Sequence, residues 1–399
     1  MRLSSKDLRS QFFKEVIGSS DQINPQVIVV THIVEDRVEL FQTLGFVADV
    51  TLVVAIPYSI DPLTLDHITA QYNTVTPSLS LLNDKDYLLA LVEKNIDPEK
   101  PFVIFEIGGY FAKTLKELDT LYNDSFLGAV EDTERGHREY SSLDQLPCPV
   151  VSAARSSLKQ MEDNLIGDSC IYSVEKILRE SGYPLHNVSC LVLGYGRIGR
   201  GVARALSKKH CRVVVFDINP IKRLEAYSEG FEILEKIDAL SSAKIVFGAT
   251  GNTSLEETDF DALSDEAMLV SCSSKDLEFD LDSLKAAYEK TVVSERVSCY
   301  SRENKNIFVV DEGFPVNFYD RAVVGPVLAL VQAECLLGIK WLCSSRLLPG
   351  IYEISEEQKK RVANLWLDCF CAGAEKSVGL CISENKPLSV REESCYADE

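Results

Sequence analysis

The amino-acid sequence predicts an α/β protein with two doubly wound parallel-sheet domains. Runs rich in Val and Ile alternate with helical segments in two separate blocks, residues 27–105 and residues 188–270. Alternation of strand and helix is typical of parallel sheets covered by helices. A glycine-rich turn lies between a strand and a helix at the start of the second block. This turn indicates that the second block is a Rossmann domain.

In the first block, β-branched and aromatic runs indicate strands, and apolar spacing indicates helices. The predicted elements are strand 27–30, helix 35–44, strand 50–54, helix 84–94 and strand 101–105. Residues 130–149 are polar and contain a glycine and two prolines. We therefore expect a loop-rich passage there.

The second block repeats this rhythm. The predicted elements are strand 189–193, helix 198–208 and strands 212–216, 244–247 and 267–270. Two further helices, 171–180 and 323–342, flank the block. Both are placed to join it to the first domain, which would then receive chain from both sides.

Composition narrows the classes of function. The 399 residues allow two or three domains. Lys and Arg number 41 against 61 Asp and Glu, a net charge of −20, which repels nucleic acid and anionic membrane surfaces. Neither is expected as a partner.

The sequence indicates a cytoplasmic protein. The N-terminus lacks the apolar core of a secretory signal, and polar residues interrupt the apolar segment 323–342, which reads as a buried helix. The 12 cysteines are scattered, so we expect reduced thiols, with neither disulfides nor a metal site.

The glycine-rich turn, residues 194–199, carries the GxGxxG pattern of dinucleotide-binding proteins. Its glycines allow a tight turn and close approach of a pyrophosphate to a helix N-terminus. Asp217 ends the next strand, where a carboxylate can bind a ribose diol, which favours NAD over NADP. A second turn of small residues follows another strand. The predicted cofactor contacts are Gly194, Gly196, Arg197, Ile198, Gly199, Asp217, Thr250, Gly251 and Asn252.

These motifs resemble those of S-adenosylhomocysteine hydrolases. Similar segments are 191–201, Asp-Ile-Asn-Pro at 217–220, Leu-Glu-Ala-Tyr-Ser-Glu-Gly-Phe at 224–231 and Asp-Leu-Glu-Phe-Asp at 276–280. The resemblance implies NAD as cofactor and a homodimer or homotetramer. It also implies a substrate-binding domain from residues 1–170 and 325–383, a Rossmann domain at 171–324 and a flexible tail at 384–399.

The resemblance reaches residues that carry chemistry. Residues 159–165 are similar to the family's Lys-x-x-x-Asp-Asn-Leu segment, in which Lys159 and Asp163 would flank the substrate 3′-hydroxyl, with Asn164 beside them. His32 takes the place of a histidine implicated in proton transfer at the 5′ side. Residue types alone also allow another interpretation. Lys159 and Asp163 could form an ion pair on the protein surface, and His32 could have a purely structural role.

Two acidic segments complete the set. Residues 106–109 resemble the family's Asp-Asp-Gly-Gly, and residues 131–133 its Glu-Glu-Thr. Glu106, Asp132 and Thr133 are therefore candidates for the wall around substrate and nicotinamide. Helix capping is the alternative for each.

The sequence also departs from the family pattern. Val34 and Arg37 replace two threonines, Phe314 and Ser274 stand at histidine positions, and Asp168 replaces a cysteine. The family's Lys-x-x-x-Tyr-Arg-Tyr ending is missing.

The leading hypothesis is an NAD-dependent enzyme acting on a nucleoside thioether or a related nucleoside. It would oxidise the ribose 3′-hydroxyl transiently, so that the 4′ proton can leave and the 5′ substituent can be eliminated. We expect burial to lower the pKa of Lys159 so that it takes the hydroxyl proton. The alternatives are a catalytically inactive NAD-binding regulatory protein and a dehydrogenase that releases NADH.

Overall fold

A computed structural model describes residues 5–18, 24–180, 182–273, 277–320 and 324–371. The helices are α1 (Ser5–Ile17), α2 (Val38–Leu44), α3 (Pro62–Thr69), α4 (Leu79–Leu82), α5 (Lys85–Asn95), α6 (Leu115–Tyr122), α7 (Glu134–Ser141), α8 (Lys159–Glu180), α9 (Arg197–Lys208), α10 (Pro220–Ser228), α11 (Lys236–Ser242), α12 (Glu257–Phe260), α13 (Leu281–Ala287), α14 (Leu328–Ser344) and α15 (Glu356–Phe370).

The strands form two sheets. They are β1 (Gln26–Ile33), β2 (Asp49–Ile60), β3 (Thr74–Val75), β4 (Phe102–Glu106), β5 (Phe126–Glu131), β6 (Pro149–Ser152), β7 (Ser189–Leu193), β8 (Arg212–Phe216), β9 (Glu232–Ile233), β10 (Ile245–Gly248), β11 (Ala267–Ser271), β12 (Glu289–Ser294), β13 (Val297–Arg302), β14 (Lys305–Val310) and β15 (Gly350–Tyr352). The sheet orders are β15-β6-β5-β4-β1-β2-β3 and β12-β13-β14-β11-β10-β7-β8-β9.

Both sheets are doubly wound, which confirms the predicted fold class. The first is wholly parallel, whereas β13 of the second runs antiparallel to both of its neighbours. The chain winds outward in both directions from the β1–β4 pair. From the β7–β10 pair it winds outward to β9 on one side and to β11 on the other, where β12 forms the far edge and the chain returns through β13 to β14. Ligands of such sheets bind at the carboxyl ends of the strands where the winding reverses. Each sheet therefore presents one such edge.

The chain returns to the first sheet after it has built the second. β15 pairs in parallel with β6, and α14 and α15 pack in the same apolar core as β1. The division at residues 170 and 325 stays a prediction, and the tail 384–399 lies outside the described residues.

Helix α14 lies in the middle of this core. The segment Gly325–Ser344 is long and apolar enough to cross a membrane, but 72% of its most apolar window is buried inside the protein. Gly338 leaves room for close packing, because a Cβ there would lie 3.0 Å from the Val151 side chain. The contacts with the sheet explain the apolar composition that the sequence shows.

Two local predictions are wrong. Residues 134–141 form helix α7 where a loop-rich passage was expected, because Thr133 caps the helix and accepts a hydrogen bond from the Gly136 N–H. Helix α8 begins at Lys159, well before the predicted 171, since ion pairs satisfy the buried polar residues of its first turns.

Helices α8 and α9 cross at two glycines. A Cβ on Gly167 would lie 2.5 Å from the Gly201 carbonyl carbon, and a Cβ on Gly201 would lie 2.6 Å from the Asn164 carbonyl oxygen. No side chain fits between backbones at this separation. The crossing therefore fixes the first turns of α8 beside the start of α9.

We expect Gly201→Ala to destabilise the protein by about 1–3 kcal/mol, because the added methyl forces the two helices apart. Thermal unfolding followed by circular dichroism measures the effect. Gly45→Ala is the matched control, since a Cβ there meets only the Gln42 carbonyl oxygen at 3.6 Å. Equal unfolding midpoints for the two variants would contradict the crossing as described.

Candidate active site

A buried lysine lies at the carboxyl edge of the first sheet. Lys159, the first residue of α8, places its Nζ 3.1 Å from Asp132 Oδ1 and 2.6 Å from Glu162 Oε2. Asp132 directly follows β5. Asp163 Oδ1 is more distant from Nζ, at 3.9 Å. The predicted i,i+4 partner is thus looser than Glu162 and Asp132, which hold the ammonium by hydrogen bonds.

Glu162 was not singled out from the sequence. It lies one turn after Lys159 and is 5% exposed. A Lys and a Glu three residues apart on a helix are an ordinary surface pair in most proteins, so the spacing carries no signal of its own. The burial of both side chains supplies that signal, and it depends on the whole fold.

The charges of this cluster reverse one prediction. Burial lowers the pKa of Lys159, but the carboxylates of Asp132, Glu162 and Asp163 raise it by more than burial lowers it. The net pKa therefore lies well above the usual value. The expected lowered pKa is therefore wrong, and Lys159 holds its proton at neutral pH.

The neighbouring acids divide into two kinds. Burial raises the pKa of Glu162 to about 7, and Lys159 opposes that shift only in part. Asp132 is buried as well, but the charges of Lys159 and Arg37 hold its pKa below the usual value. Asp132 is thus a fixed anion, whereas Glu162 changes charge near neutral pH.

Asp163 joins the cluster to α9. Its Oδ2 accepts a hydrogen bond of 3.2 Å from Arg197 Nη1, and the same nitrogen donates to the Ala154 carbonyl oxygen at 2.7 Å. Burial raises the pKa of Asp163. Arg197 is the first residue of α9, so a predicted cofactor contact and a predicted catalytic residue meet directly.

His32 lies beside the cluster, near the end of β1. Its Nδ1 is 2.5 Å from Ser59 Oγ, and its ring centroid is 4.5 Å from that of Phe318. Burial, followed by the charge of Arg37, lowers the pKa of His32 to about 3. The imidazole is therefore neutral at physiological pH.

Glu106 and Thr133 have partners other than Lys159. The Glu106 carboxylate accepts hydrogen bonds from the Phe111 N–H and the Tyr140 hydroxyl. The Thr133 hydroxyl donates to Glu131 Oε1 at 2.6 Å. These contacts shape the loop after β4 and the start of α7, and they suit a supporting role.

The glycine-rich turn follows β7 as predicted. Gly194 has φ +91°, and a Cβ on Gly199 would lie 1.9 Å from the Gly194 carbonyl oxygen. Gly196 caps α9 without a side-chain hydrogen bond, and none of the described residues lies within 4 Å of the position that its Cβ would take. Ile198 packs against the apolar core of this sheet. The turn therefore brings bare backbone to the N-terminus of a 12-residue helix.

Asp217 stabilises the same turn. Its Oδ2 accepts from the Tyr195 N–H at 2.7 Å, and its Oδ1 accepts from the Asn219 N–H at 2.8 Å. A carboxylate has about four acceptor sites, so each oxygen retains capacity for a ribose hydroxyl.

The second turn depends on Glu278, which the sequence analysis quoted only within a longer segment. This carboxylate is fully buried and accepts from the Thr250 N–H at 2.7 Å and the Gly251 N–H at 2.6 Å. The Thr250 hydroxyl also bonds to the Asn252 carbonyl oxygen at 2.6 Å. Asn164, in contrast, is exposed, and its side-chain amide donates to the Gln160 carbonyl oxygen.

The departures from the family pattern occupy different surroundings. Phe314 stacks on Tyr58, with ring centroids 5.5 Å apart. Asp168 lies 3.7 Å from Lys208 in a surface ion pair. Ser274 and Asp276 lie outside the described residues.

Comparison with known proteins agrees with this geometry. Residues 169–322 match the family model described as S-adenosyl-L-homocysteine hydrolase, NAD binding domain, which confirms NAD as the predicted cofactor. An adenosylhomocysteinase of Thermotoga maritima is 28% identical over 285 residues, 69% of this chain and 70% of that protein. An S-inosyl-L-homocysteine hydrolase of Methanothermobacter thermautotrophicus is 26% identical over 254 residues, 61% of each chain.

A distant likeness exists among solved structures. The A chain of dipicolinate synthase from Bacillus subtilis is 13% identical, with a TM-score of 0.42, over 80% of this chain and 97% of that chain. The sequence matches are the more specific finding. The chain is therefore similar to S-adenosyl-L-homocysteine hydrolases, and the similarity is strongest in residues 169–322, which match the family's NAD-binding domain.

Proposed function

We propose that this protein is an NAD-dependent enzyme that transiently oxidises the ribose 3′-hydroxyl of a nucleoside thioether or related nucleoside. Removal of the 4′ proton and loss or hydrolysis of the 5′ substituent would follow. One observation carries the proposal: the Lys159 cluster is tied through Asp163 and Arg197 to the first turn of the cofactor helix α9. The names of the relatives support the same chemistry. We further propose a cytoplasmic homodimer or homotetramer.

The residues of the glycine-rich turn fit NAD. A helix N-terminus attracts phosphate through its free N–H groups and its dipole, and the open space at Gly196 admits one. Asp217 would hold the adenosine ribose. Glu278 fixes the turn at Thr250 and Gly251, which would face the nicotinamide half. When bound, NAD⁺ supplies the hydride acceptor that turns the 3′-alcohol into a ketone.

The protonation states assign separate roles to Lys159 and Glu162. Lys159 is an ammonium ion that donates a charge-assisted hydrogen bond to the 3′-oxygen and stabilises negative charge there. Since Glu162 Oε2 lies 2.6 Å from Nζ, Lys159 passes one of its own protons to ionised Glu162 as it takes the proton of the 3′-hydroxyl, and it remains an ammonium ion throughout. Asp132 stays ionised and keeps the ammonium oriented.

His32 is assigned to the other side of the sugar. Because its imidazole is neutral, it acts first as an acceptor, and Ser59 fixes the ring orientation. The aromatic rings of Phe318 and Tyr58 pack beside it. These features suit proton transfer near C5′.

Asp217→Ala should weaken NAD binding by about 1–3 kcal/mol, because the ribose diol loses a charged acceptor. Titration of cofactor-free protein with NAD, followed by calorimetry, measures the change. Asp238 is an exposed acid on helix α11, which packs on the same sheet, and Asp238→Ala should leave the affinity for NAD unchanged. An unaltered affinity in Asp217→Ala would remove this residue from the cofactor site.

Lys159→Ala should slow reduction of bound NAD⁺ by roughly 10²- to 10⁴-fold, the usual contribution of a proton-transfer group. The absorbance of NADH, followed after addition of ribonucleosides and their 3′-deoxy analogues, measures it. Only substrates with a 3′-hydroxyl should respond. Lys113→Ala, at an exposed lysine of the same domain, is the control. Equal rates for Lys159→Ala and wild type would contradict the assignment.

The rate of this reduction should rise as the pH increases through about 7, because only ionised Glu162 accepts the proton passed by Lys159. Glu162→Gln should remove that inflection. Burial also raises the pKa of Glu334 to about 7, and its Oε1 is bonded to Ser156 Oγ, so Glu334→Gln is the matched control that should keep the inflection. Loss of the inflection in Glu334→Gln alone would reassign the proton acceptor.

A further inference from the structure

A second cation is buried beside the Lys159 cluster. Arg37 ends the 3₁₀ turn Glu35–Arg37 that follows β1, and its side chain is 7% exposed. Its Nη1 lies 3.9 Å from Asp132 Oδ2, while Lys159 is bonded to the other oxygen of that carboxylate. Arg37 and Lys159 therefore approach the same carboxylate, each at a different oxygen.

Two donor atoms of the Arg37 guanidinium have no hydrogen bond to the described residues. Within the part of the chain that the structure describes, neither Nε nor Nη1 of Arg37 has a hydrogen-bond partner. The adjacent Asp36 does not pair with Arg37: its Oδ1 accepts a hydrogen bond from Arg9 Nη1 at 2.6 Å. Buried polar groups in folded proteins nearly always have partners, and an unsatisfied cation is especially costly. The two free donors thus indicate a ligand.

We propose that Arg37 is a specificity-determining residue that binds a carbonyl-type oxygen of the substrate. The inference rests on the proposed function, because it places the ribose at Lys159 and hence another part of the same molecule at Arg37. A guanidinium has only donors, so the group that it binds must be an acceptor and cannot be an amine.

Two parts of a nucleoside thioether supply such an oxygen. One is a keto oxygen on the base, and the other is a carboxylate on the 5′ substituent. Two pairs of probes distinguish them. Inosine and adenosine differ in the oxo or amino group of the base, and S-adenosyl-L-homocysteine carries a carboxylate that 5′-methylthioadenosine lacks.

Binding of each probe to the NAD-loaded protein is measured by isothermal titration calorimetry. If Arg37 binds the base, wild type should prefer inosine to adenosine by about 10- to 100-fold, the usual effect of a hydrogen bond to a charged group. If it binds the carboxylate, S-adenosyl-L-homocysteine should exceed 5′-methylthioadenosine by the same factor. Arg37→Met should abolish whichever preference wild type shows.

The ratio of the two affinities within a probe pair does not depend on the fraction of protein that is folded. Loss of a merely structural residue would therefore leave this ratio unchanged. Arg37→Lys, which keeps the charge but loses the planar fork, should reduce the ratio and serves if Arg37→Met does not fold. Arg346→Met is the control, since this arginine side chain is 90% exposed.

The outcomes separate this inference from the proposed function. Loss of one preference in Arg37→Met supports the inference and identifies the source of the oxygen. Binding of all four probes with neither ratio altered overturns the inference alone. Failure of all four to bind wild-type protein that retains NAD overturns the proposed function.

Discussion

The close approach of α8 and α9 is the constraint on which the candidate site depends. One end of α8 carries Lys159 and Glu162 at the edge of the first sheet, and its later turns pack in the core of the second sheet. Helix α9 starts at the glycine-rich turn. Because backbone meets backbone at Gly167 and Gly201, the separation between proton-handling groups and cofactor turn is set by two rigid helices and not by a loop. Reactions of oriented groups depend on such fixed distances.

Electrostatic interactions determine which groups carry charge in the Lys159 cluster, which consists of Lys159, Asp132, Glu162 and Asp163. A lone buried lysine tends to lose its proton, whereas here three carboxylates keep the ammonium form. Their mutual repulsion and burial then raise the pKa of Glu162, so the charge that changes near neutral pH lies on a carboxylate. Burying this many charges is costly compared with an apolar core. Such an arrangement is typical of functional sites.

Sequence reasoning recovered the parts that depend on local pattern. The β-branched runs predicted the central strands of both sheets, and the glycine-rich turn and Asp217 predicted the cofactor domain. The sequence does not predict helix α7, because the large buried side chains of this helix are His137 and Tyr140 and most of their neighbours are charged. The segment therefore lacks the periodic spacing of apolar residues that indicates a helix. Strand β12 is exposed along its whole length, so it shows no alternation.

The site itself was harder to predict. Lys159, Asp163 and Asp132 were found through a family resemblance, but the direct pairing of Lys159 with Asp132 and the part played by Glu162 were not. Asp132 is 27 residues away in the chain, and the importance of Glu162 arises only when both side chains are buried. The direction of the Lys159 pKa shift depends on how many acids the fold gathers around it. The spacing of residues along the chain does not show how many acids will surround Lys159.

The pairing of β15 with β6 also bears on how the chain is synthesised. The second sheet is built from the continuous stretch Ser189–Val310, so it can fold as soon as that stretch has emerged from the ribosome. The first sheet ends at Ser152 until Gly350–Tyr352 arrives, about 200 residues later. At roughly 5–20 residues per second this delay is ~10–40 s. During that time the edge of β6 and the apolar surface meant for α14 are uncovered, and an open strand edge invites aggregation. The first sheet, although its strands are synthesised first, is therefore completed after the second.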